Sequence, residues 1–550
     1  MKRLGLYWRT LRHLTPRQVV YQVWNRLRGQ PRLQWSATPT PADVPSIRFP
    51  ITFTFLNQSV TFTDQIDWNY AANGKLWTYN LTYFEWLTSL TSPPPPLLEN
   101  GEGSNAPLVS HDSDCAARLP SPFSRRGVGG EVKVSLIHDF IRQTDVLRDG
   151  LEPYPTSLRV LNWRAFLLRE GIQDPIIEQH LYAQTALLRS RVEYHLGGNH
   201  LLENACALTI MALHFRQPVW FKEATALLRA QLDEQILTDG GHYERSPVYH
   251  QLLTDRLLDV YAVLRDSSWE RDPDLTRYVQ DKTAAMLNWL VSVTFRDGSV
   301  PMVNDAAYGV APATAEILAK AAPLGFTPAP AALSDSGYRM LTTSRLELFV
   351  DVGPVGPDHQ PGHAHADTFS FVLHIDGKPV IVDPGTSTYQ IGERRSWERS
   401  TAAHNTVTIA GQSSSEVWSG FRVGRRAQVC IEIDTPRCIK AHHDGYSHLG
   451  VRHTRQWTIV DDTMLSINDW VTGDILPKRC HFYFDHCLHL IVGQTRVRLP
   501  NAEVSFLSDR PLTLHQSTYE QARGFNQTSP ASQVTFDCPA VLTTLVSIYL

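Results

Sequence analysis

The hydrophobic period of this chain of 550 residues changes once, near Ser336, and that change limits what it can fold into. From Val134 to about Ala322 the apolar residues recur at helical spacing. Leu201, Ala205, Leu208, Ala212 and Phe215 fall at i, i+4, i+7, i+11 and i+14, and Leu253, Leu257, Val260 and Leu264 repeat the pattern. Successive amphipathic segments with short connections and no strand pattern between them imply helix packed on helix, as a bundle or a toroid of hairpins. Past Ser336 the period is two. Aliphatic residues alternate in Leu346-Glu347-Leu348-Phe349-Val350, and similar runs occur at Thr406–Ile409, Trp457–Val460 and Val541–Val546. That half reads as a large antiparallel β-sandwich. The expected fold class is therefore multidomain α+β. Its parts are an N-terminal helical region (1–92), a disordered insertion rich in Pro, Ser, Gly and Arg (93–132), a helical domain (133–330) and a sandwich (331–550).

The bulk chemistry excludes several functions. A formal net charge of -4 does not recruit nucleic acid or an acidic surface. The 7 cysteines are odd in number and form no CxxC pair, which argues against a disulfide framework or a thiolate metal site. No run of 18 apolar residues suggests a membrane span. The basic start, Met1 to Arg9, lacks the apolar core of a signal peptide, so the sequence alone points either to the cytoplasm or to export by a route without that signal. Residues 1–30 read as one or two basic amphipathic helices. Leu4, Trp8, Leu11, Val19, Val20 and Val23 are expected to turn inward, as in an ordinary packed helix, rather than to meet a membrane. An aromatic stretch, Trp77 to Leu87, reads as a helix beside a core or a sugar path.

Chemistry-bearing residues concentrate between Gly362 and Asn405. Gly362-His363-Ala364-His365-Ala366-Asp367 leads into an apolar strand, an Asp376-Gly377 turn and a return strand ending at Asp383. Asp-Gly between alternating runs signals a type I′ hairpin, which brings Asp383 back towards the two histidines. His365, Asp383 and His404 then offer two imidazoles and a carboxylate, a donor set suited to zinc.

Two helix starts complete the candidate site. Gly197-Gly198-Asn199-His200 places Asn199 at an N-cap, and Ser246-Pro247-Val248-Tyr249 places Ser246 at the next, with Tyr249 in the first turn. Both are capping motifs at the least. If their positive ends converge, they attract an anion. An amide such as Asn199 could then quench a uronate carboxylate while Tyr249, with a lowered pKa, moves a proton, which suits β-elimination.

Taken together, Asn199-His200-x-x-Glu203-Asn204, Glu244-x-Ser246-Pro247-x-Tyr249-His250, Gly362-His363-x-His365-x-Asp367, Asp383-Pro384-Gly385 and His404-Asn405 resemble, in order, the heparinase II/III family of polysaccharide lyases. The resemblance implies an (α/α) toroid followed by a β-sandwich. It implies Asn199, His200, Tyr249 and His363 as catalytic residues, and Glu203, Tyr243, Glu244 and His250 as substrate-side residues, with Tyr243 the fallback for Tyr249. It also implies one structural zinc on His365, Asp383 and His404, an anionic polysaccharide substrate and a periplasmic location. Two other classes stay open: a toroid glycoside hydrolase using Glu203 with Glu244 or Asp297 with Asp305, and a non-catalytic saccharide-binding protein of exopolysaccharide assembly.

Overall fold

The structure is a computed structural model that describes residues 2–35, 47, 49–89 and 130–549. In chain order it places helices α1 (Lys2–Leu11) and α2 (Pro16–Arg28) and a hairpin of β1 (Ile51–Phe55) and β2 (Gln58–Phe62). Next come α3 (Lys75–Tyr83), α4 (Trp86–Ser89), α5 (Gly130–Gln143), α6 (Pro153–Glu170), α7 (Pro175–Ser190), α8 (Gly198–His214) and α9 (Pro218–Gln235). Last among the larger helices are α10 (Pro247–Asp266), α11 (Pro273–Val293) and α12 (Thr314–Ala321). Proline opens α6, α7, α10 and α11, where its missing N–H costs nothing. Asp174 and Asp272 cap two of these helices by accepting from backbone N–H groups of the first turn.

The chain divides into two compact units, one of residues 29–193 and 210–220, the other of residues 1–28, 194–209 and 221–550. This division differs from the sequence boundaries, which put residues 1–92 in a helical region and changed domain at 330. The smaller unit has an aromatic core: Trp68 stacks on Phe84 at 5.2 Å, and Phe84 meets Phe140 and Trp163 edge-on. Trp77, Phe84 and Trp86 are buried, so the 77–87 stretch serves a core. Phe84 takes a left-handed φ of 59°, which ends α3 and splits the expected single helix. The β1–β2 hairpin is an addition to the expected all-helical region. Its alternating Ile51, Phe53, Phe55 and Val60, Phe62 carried a strand signal. The expectation for residues 93–132 lies outside the described residues as far as 129, and from Gly130 the chain is already helical.

In the larger unit, β3 (Tyr338–Thr342), β4 (Leu346–Asp351), β5 (Phe371–Ile375) and β6 (Lys378–Ile381) form an antiparallel sheet in that order. The β5–β6 turn has positive φ at both Asp376 (52°) and Gly377 (71°), as a type I′ turn requires. A second four-stranded sheet joins β7 (Val407–Ile409) to the strands Lys478–Tyr483, Gln527–Asp537 and His515–Gly524. An eight-stranded antiparallel sheet carries Val451–Ile459 and Met464–Gly473, and Val541–Ile548 pairs at its centre. The shared core includes Leu348, Phe371, Leu373, Trp457, Ile467, Phe482, Phe536 and Val546.

Val451–Ile459 alternates between buried and wetter positions, as a half-buried strand does. β4 does not alternate: it is buried along both faces, because Trp289 and Val293 of α11 join Phe349 and Val372 in a separate cluster behind it. Glu347 therefore has to be satisfied internally, and its carboxylate accepts from the Arg296 backbone N–H at 2.7 Å.

The N-terminal helices are oriented against expectation. The polar side of α2 faces the protein: Gln18, only 3% exposed, donates to the His359 carbonyl, and Asn25 pairs with His195. In α1, Arg9 forks onto Glu416 with two 2.7 Å bonds, and Thr10 accepts from the Trp418 indole. The apolar stripe faces outward, with Trp8 69% and Leu27 75% exposed.

Candidate active site

All the residues that the sequence singled out for chemistry lie in the larger unit. The chain enters α8 through Gly197 (φ 70°) and Gly198 (φ 59°). A Cβ at Gly198 would stand 2.0 Å from a Glu244 carboxylate oxygen, so this position requires glycine both for its backbone and for the close approach. Asn199 lies in the first turn and not at the N-cap, since the helix starts at Gly198, two residues earlier than the spacing suggested. Its backbone N–H donates to Glu244 Oε1 at 3.1 Å and its Nδ2 to Glu244 Oε2 at 2.8 Å. The Tyr243 hydroxyl accepts from the Gly198 N–H at 3.0 Å. The positive end of α8 is thus already answered by a buried internal carboxylate. Tyr243 and Glu244, expected beside the substrate, hold this helix end instead.

The start of α10 is as expected in outline: Ser246 is the N-cap, Pro247 follows, and Tyr249 stands in the first turn. Ser246 makes no side-chain cap, and its hydroxyl is buried without a partner. The Tyr249 hydroxyl meets that of Tyr389 at 2.9 Å, and its ring lies 4.0 Å from the His363 ring. Burial pushes the Tyr249 phenol well above its usual pKa, and Tyr389, Asp305 and Glu244 push it further. This reverses the expected lowering, because the groups around the hydroxyl are anionic or neutral. Tyr249 keeps its proton and is a donor.

His363 has the opposite character. Its Nδ1 contacts Asp305 Oδ2 at 2.9 Å and its Nε2 contacts Asn199 Nδ2 at 3.3 Å. With a carboxylate on Nδ1, the hydrogen sits there and Nε2 is left as an acceptor facing the Asn199 amide. Asp305 is fully buried and gathers four donors: His363, His365 Nε2 at 2.9 Å, and both terminal nitrogens of Arg395 at 2.5 and 2.7 Å. Burial alone would raise its pKa. The Arg395 charge and the two histidine bonds outweigh that and hold it well below the carboxylate range. Asn304 fixes the same segment by accepting the His365 N–H at 2.8 Å.

The expected zinc ligands are all buried. His404 Nδ1 contacts Asp383 Oδ2 at 2.7 Å, and the His365 and His404 rings lie 5.4 Å apart. His365 Nδ1 and His404 Nε2 are each buried without a hydrogen-bond partner. Two orphaned imidazole nitrogens in one buried neighbourhood fit a zinc ion, with Asp383 placed to orient His404. The three ligand atoms do not lie within 4.8 Å of one another. Among the described residues such a group is formed by Asp485, His486 and Cys487.

Other expectations fare differently. His200 is half-buried in the first turn of α8. Glu203 is buried in an ion pair with Arg256 at 2.7 Å, and His250 spends Nδ1 on the His242 N–H and Nε2 on the Met286 carbonyl. Both side chains are buried and committed to these internal partners. The hydrolase pairs are also broken up, with Glu203 on Arg256, Glu244 on α8, Asp297 in a turn with Ser299, and Asp305 in its cationic hub. Tyr389 and Arg395 had no sequence signal, since Tyr389 lies in a loop and Arg395 in a short helix (Glu393–Glu398) far along the chain from their partners.

Residues 157–322 match the family model of the heparinase II/III N-terminus, and residues 327–537 match the heparinase II/III-like C-terminal model. Together these cover more than half of the chain. A heparin-sulfate lyase of Pedobacter heparinus is 26% identical over 250 residues, which is 40% of this chain and 37% of that protein. The FtsZ-localized protein C of Caulobacter vibrioides is 28% identical over 250 residues, 42% of this chain and 41% of that one. These matches span well under two thirds of either relative. A solved structure of heparinase III superposes with a TM-score of 0.63 at 15% identity, covering 76% of this chain and 74% of that one. At that identity the likeness shows the fold, and the helical toroid with a β-sandwich that the family resemblance implied is the fold found.

Proposed function

The chain belongs to the heparinase II/III family, and on that premise we propose that it is a polysaccharide lyase acting on uronic-acid-containing chains by β-elimination. The observation that carries this reading is the convergence of Asn199, His363 and Tyr249, with an imidazole nitrogen 3.3 Å from an amide donor and a protonated phenol whose ring lies 4.0 Å from the same imidazole.

In the free protein one Asn199 amide hydrogen is held by Glu244 and the other faces His363 Nε2. A uronate carboxylate taking the second hydrogen would quench its own charge and release the His363 lone pair in the same event. His363 Nε2 then accepts the proton α to the carboxylate, and Asp305 at Nδ1 stabilises the imidazolium that forms. The C–H electron pair becomes the C4–C5 double bond, the C4–O bond breaks, and the leaving oxygen takes the Tyr249 proton. Tyr389 holds the Tyr249 hydroxyl in place for that transfer. A zinc held by His365 and His404, with Asp383 orienting His404, would stiffen the loops behind His363 and carry no step itself.

A panel of purified uronans (alginate, heparan-type, hyaluronan-like and bacterial exopolysaccharide) read by ultraviolet absorbance tests this. Unsaturated uronate ends support it, and new reducing ends without absorbance overturn it in favour of hydrolysis. The second reading, a non-catalytic scaffold, is favoured by the relative whose name is not that of a lyase, and it predicts neither product.

A further inference from the structure

We propose that α1 and α2 form a docking surface for an anionic lipid bilayer. The argument starts from their inverted orientation. A surface helix normally turns its apolar stripe to the core. Here Gln18, Asn25, Arg9 and Thr10 engage the protein, while Leu4, Trp8 and Leu11 on α1 and Val20, Trp24 and Leu27 on α2 are exposed. Leu4, Trp8 and Leu11 follow i, i+4, i+7 spacing, and Val20, Trp24 and Leu27 repeat it, so each helix presents one continuous apolar face. Such a face left in water is unfavourable, so it marks a contact.

Charge selects the occupant. The first 35 residues contain eight Lys and Arg and no Asp or Glu, in a chain whose formal net charge is -4. Arg12, Arg17 and Arg26 are exposed at the margins of the apolar stripes. Beneath α2 an open cavity of about 390 Å³ is lined by Gln22, Asn25, Arg26, His195 and Arg422, without a carboxylate. A second copy of the chain would bring two cationic faces together, whereas an anionic bilayer offers an apolar interior beneath phosphates. Apolar side chains entering the acyl boundary, with arginines reaching back to the headgroups, are the signature of an interfacial helix lying in the membrane plane. No helix among the described residues is long and apolar enough to cross a membrane.

The test is flotation of the full chain with vesicles of phosphatidylglycerol and phosphatidylcholine, against vesicles of phosphatidylcholine alone. The protein is expected to float with the anionic vesicles, to float far less with the neutral ones, and to be partly released by high salt. The triple variant Val20→Ser, Trp24→Ser, Leu27→Ser should lower the bound fraction at least ~10-fold, from lost apolar burial, with an unchanged melting temperature. Arg12→Glu with Arg26→Glu, which alters exposed charge alone, should lower it similarly and guards against a misfolded triple variant. Absence of flotation by the wild type, or equal flotation of both variants, overturns the proposal. So does a dimer in light scattering without vesicles that the triple variant converts to monomer, since the face then belongs to a second copy.

Discussion

Replacing Tyr249 by Phe separates the chemistry from the scaffold with the least disturbance. The ring that packs 4.0 Å from His363 is retained, so the imidazole keeps its position against Asp305. What is lost is one hydroxyl and its single 2.9 Å contact with Tyr389, whose own hydroxyl keeps a 3.4 Å approach to the Asp305 carbonyl. A neutral bond of that kind is worth about 1 kcal/mol net, so the variant should remain folded with a slightly lower melting temperature. The catalytic loss should be much larger. Removing a positioned proton donor costs at least ~10²-fold in kcat, about 2.7 kcal/mol of barrier, with KM little changed because the hydroxyl acts on the leaving oxygen. The assay is the rate of ultraviolet absorbance on whichever uronan the wild type cleaves. Tyr243→Phe is the matched control. Its hydroxyl accepts the Gly198 N–H, so it should lose ~1–3 kcal/mol of stability and keep most of its turnover when folded. Full activity in Tyr249→Phe, with Tyr243→Phe inactive though folded, would remove Tyr249 from the mechanism and refute the donor assignment.

Two further outcomes follow from buried histidines. His250 and His180 are each buried, and burial lowers their pKa values to about 3 from an unfolded value near 6.5. Protons therefore bind the unfolded chain first. The stability each contributes is present above pH ~6.5 and is lost as pH falls towards 3, at about 1.4 kcal/mol per pH unit per residue. Melting temperatures should thus decline from pH 6.5 downward, before carboxylates titrate, and His250→Gln should flatten that slope; an identical slope in the variant counts against it. For the metal, protein purified without chelator should contain about one zinc per chain, and His365→Ala should lose metal and melting temperature together. Metal analysis that finds no zinc in the wild type, or an unaltered melting temperature in the variant, removes the zinc assignment.

The two halves of the fold were legible because hydrophobic period survives in any sequence that buries one face. The β5–β6 turn was legible because Asp376-Gly377 is a local requirement of backbone φ. The start of α10 was read for the same reason, from Ser246-Pro247. What escaped was set by distant partners. Glu244 neutralises the end of α8 from 45 residues away, so Asn199 looked like a cap awaiting an anion that was already in place. Asp305 was weighed as a hydrolase acid because its Arg395 partner lies 90 residues on. Tyr389 carries no motif at all. The inward polar face of α2 was misjudged because period fixes which residues share a side, and not which side meets the protein.

The clasp between Arg9 and Glu416 has a consequence for biosynthesis. Its two ends are 407 residues apart, and ribosomes add roughly 5–20 residues per second. By those rates α1 exists for roughly 20–80 seconds before the strand that receives it has been made. During that interval this cationic, aromatic-bearing helix lacks Glu416 and Trp418, its partners in the finished fold. Asn199, Tyr249 and His363 all precede Glu416 in the chain, so the whole candidate site is synthesised while α1 still waits for that partner, whether a chaperone or a lipid surface holds it meanwhile.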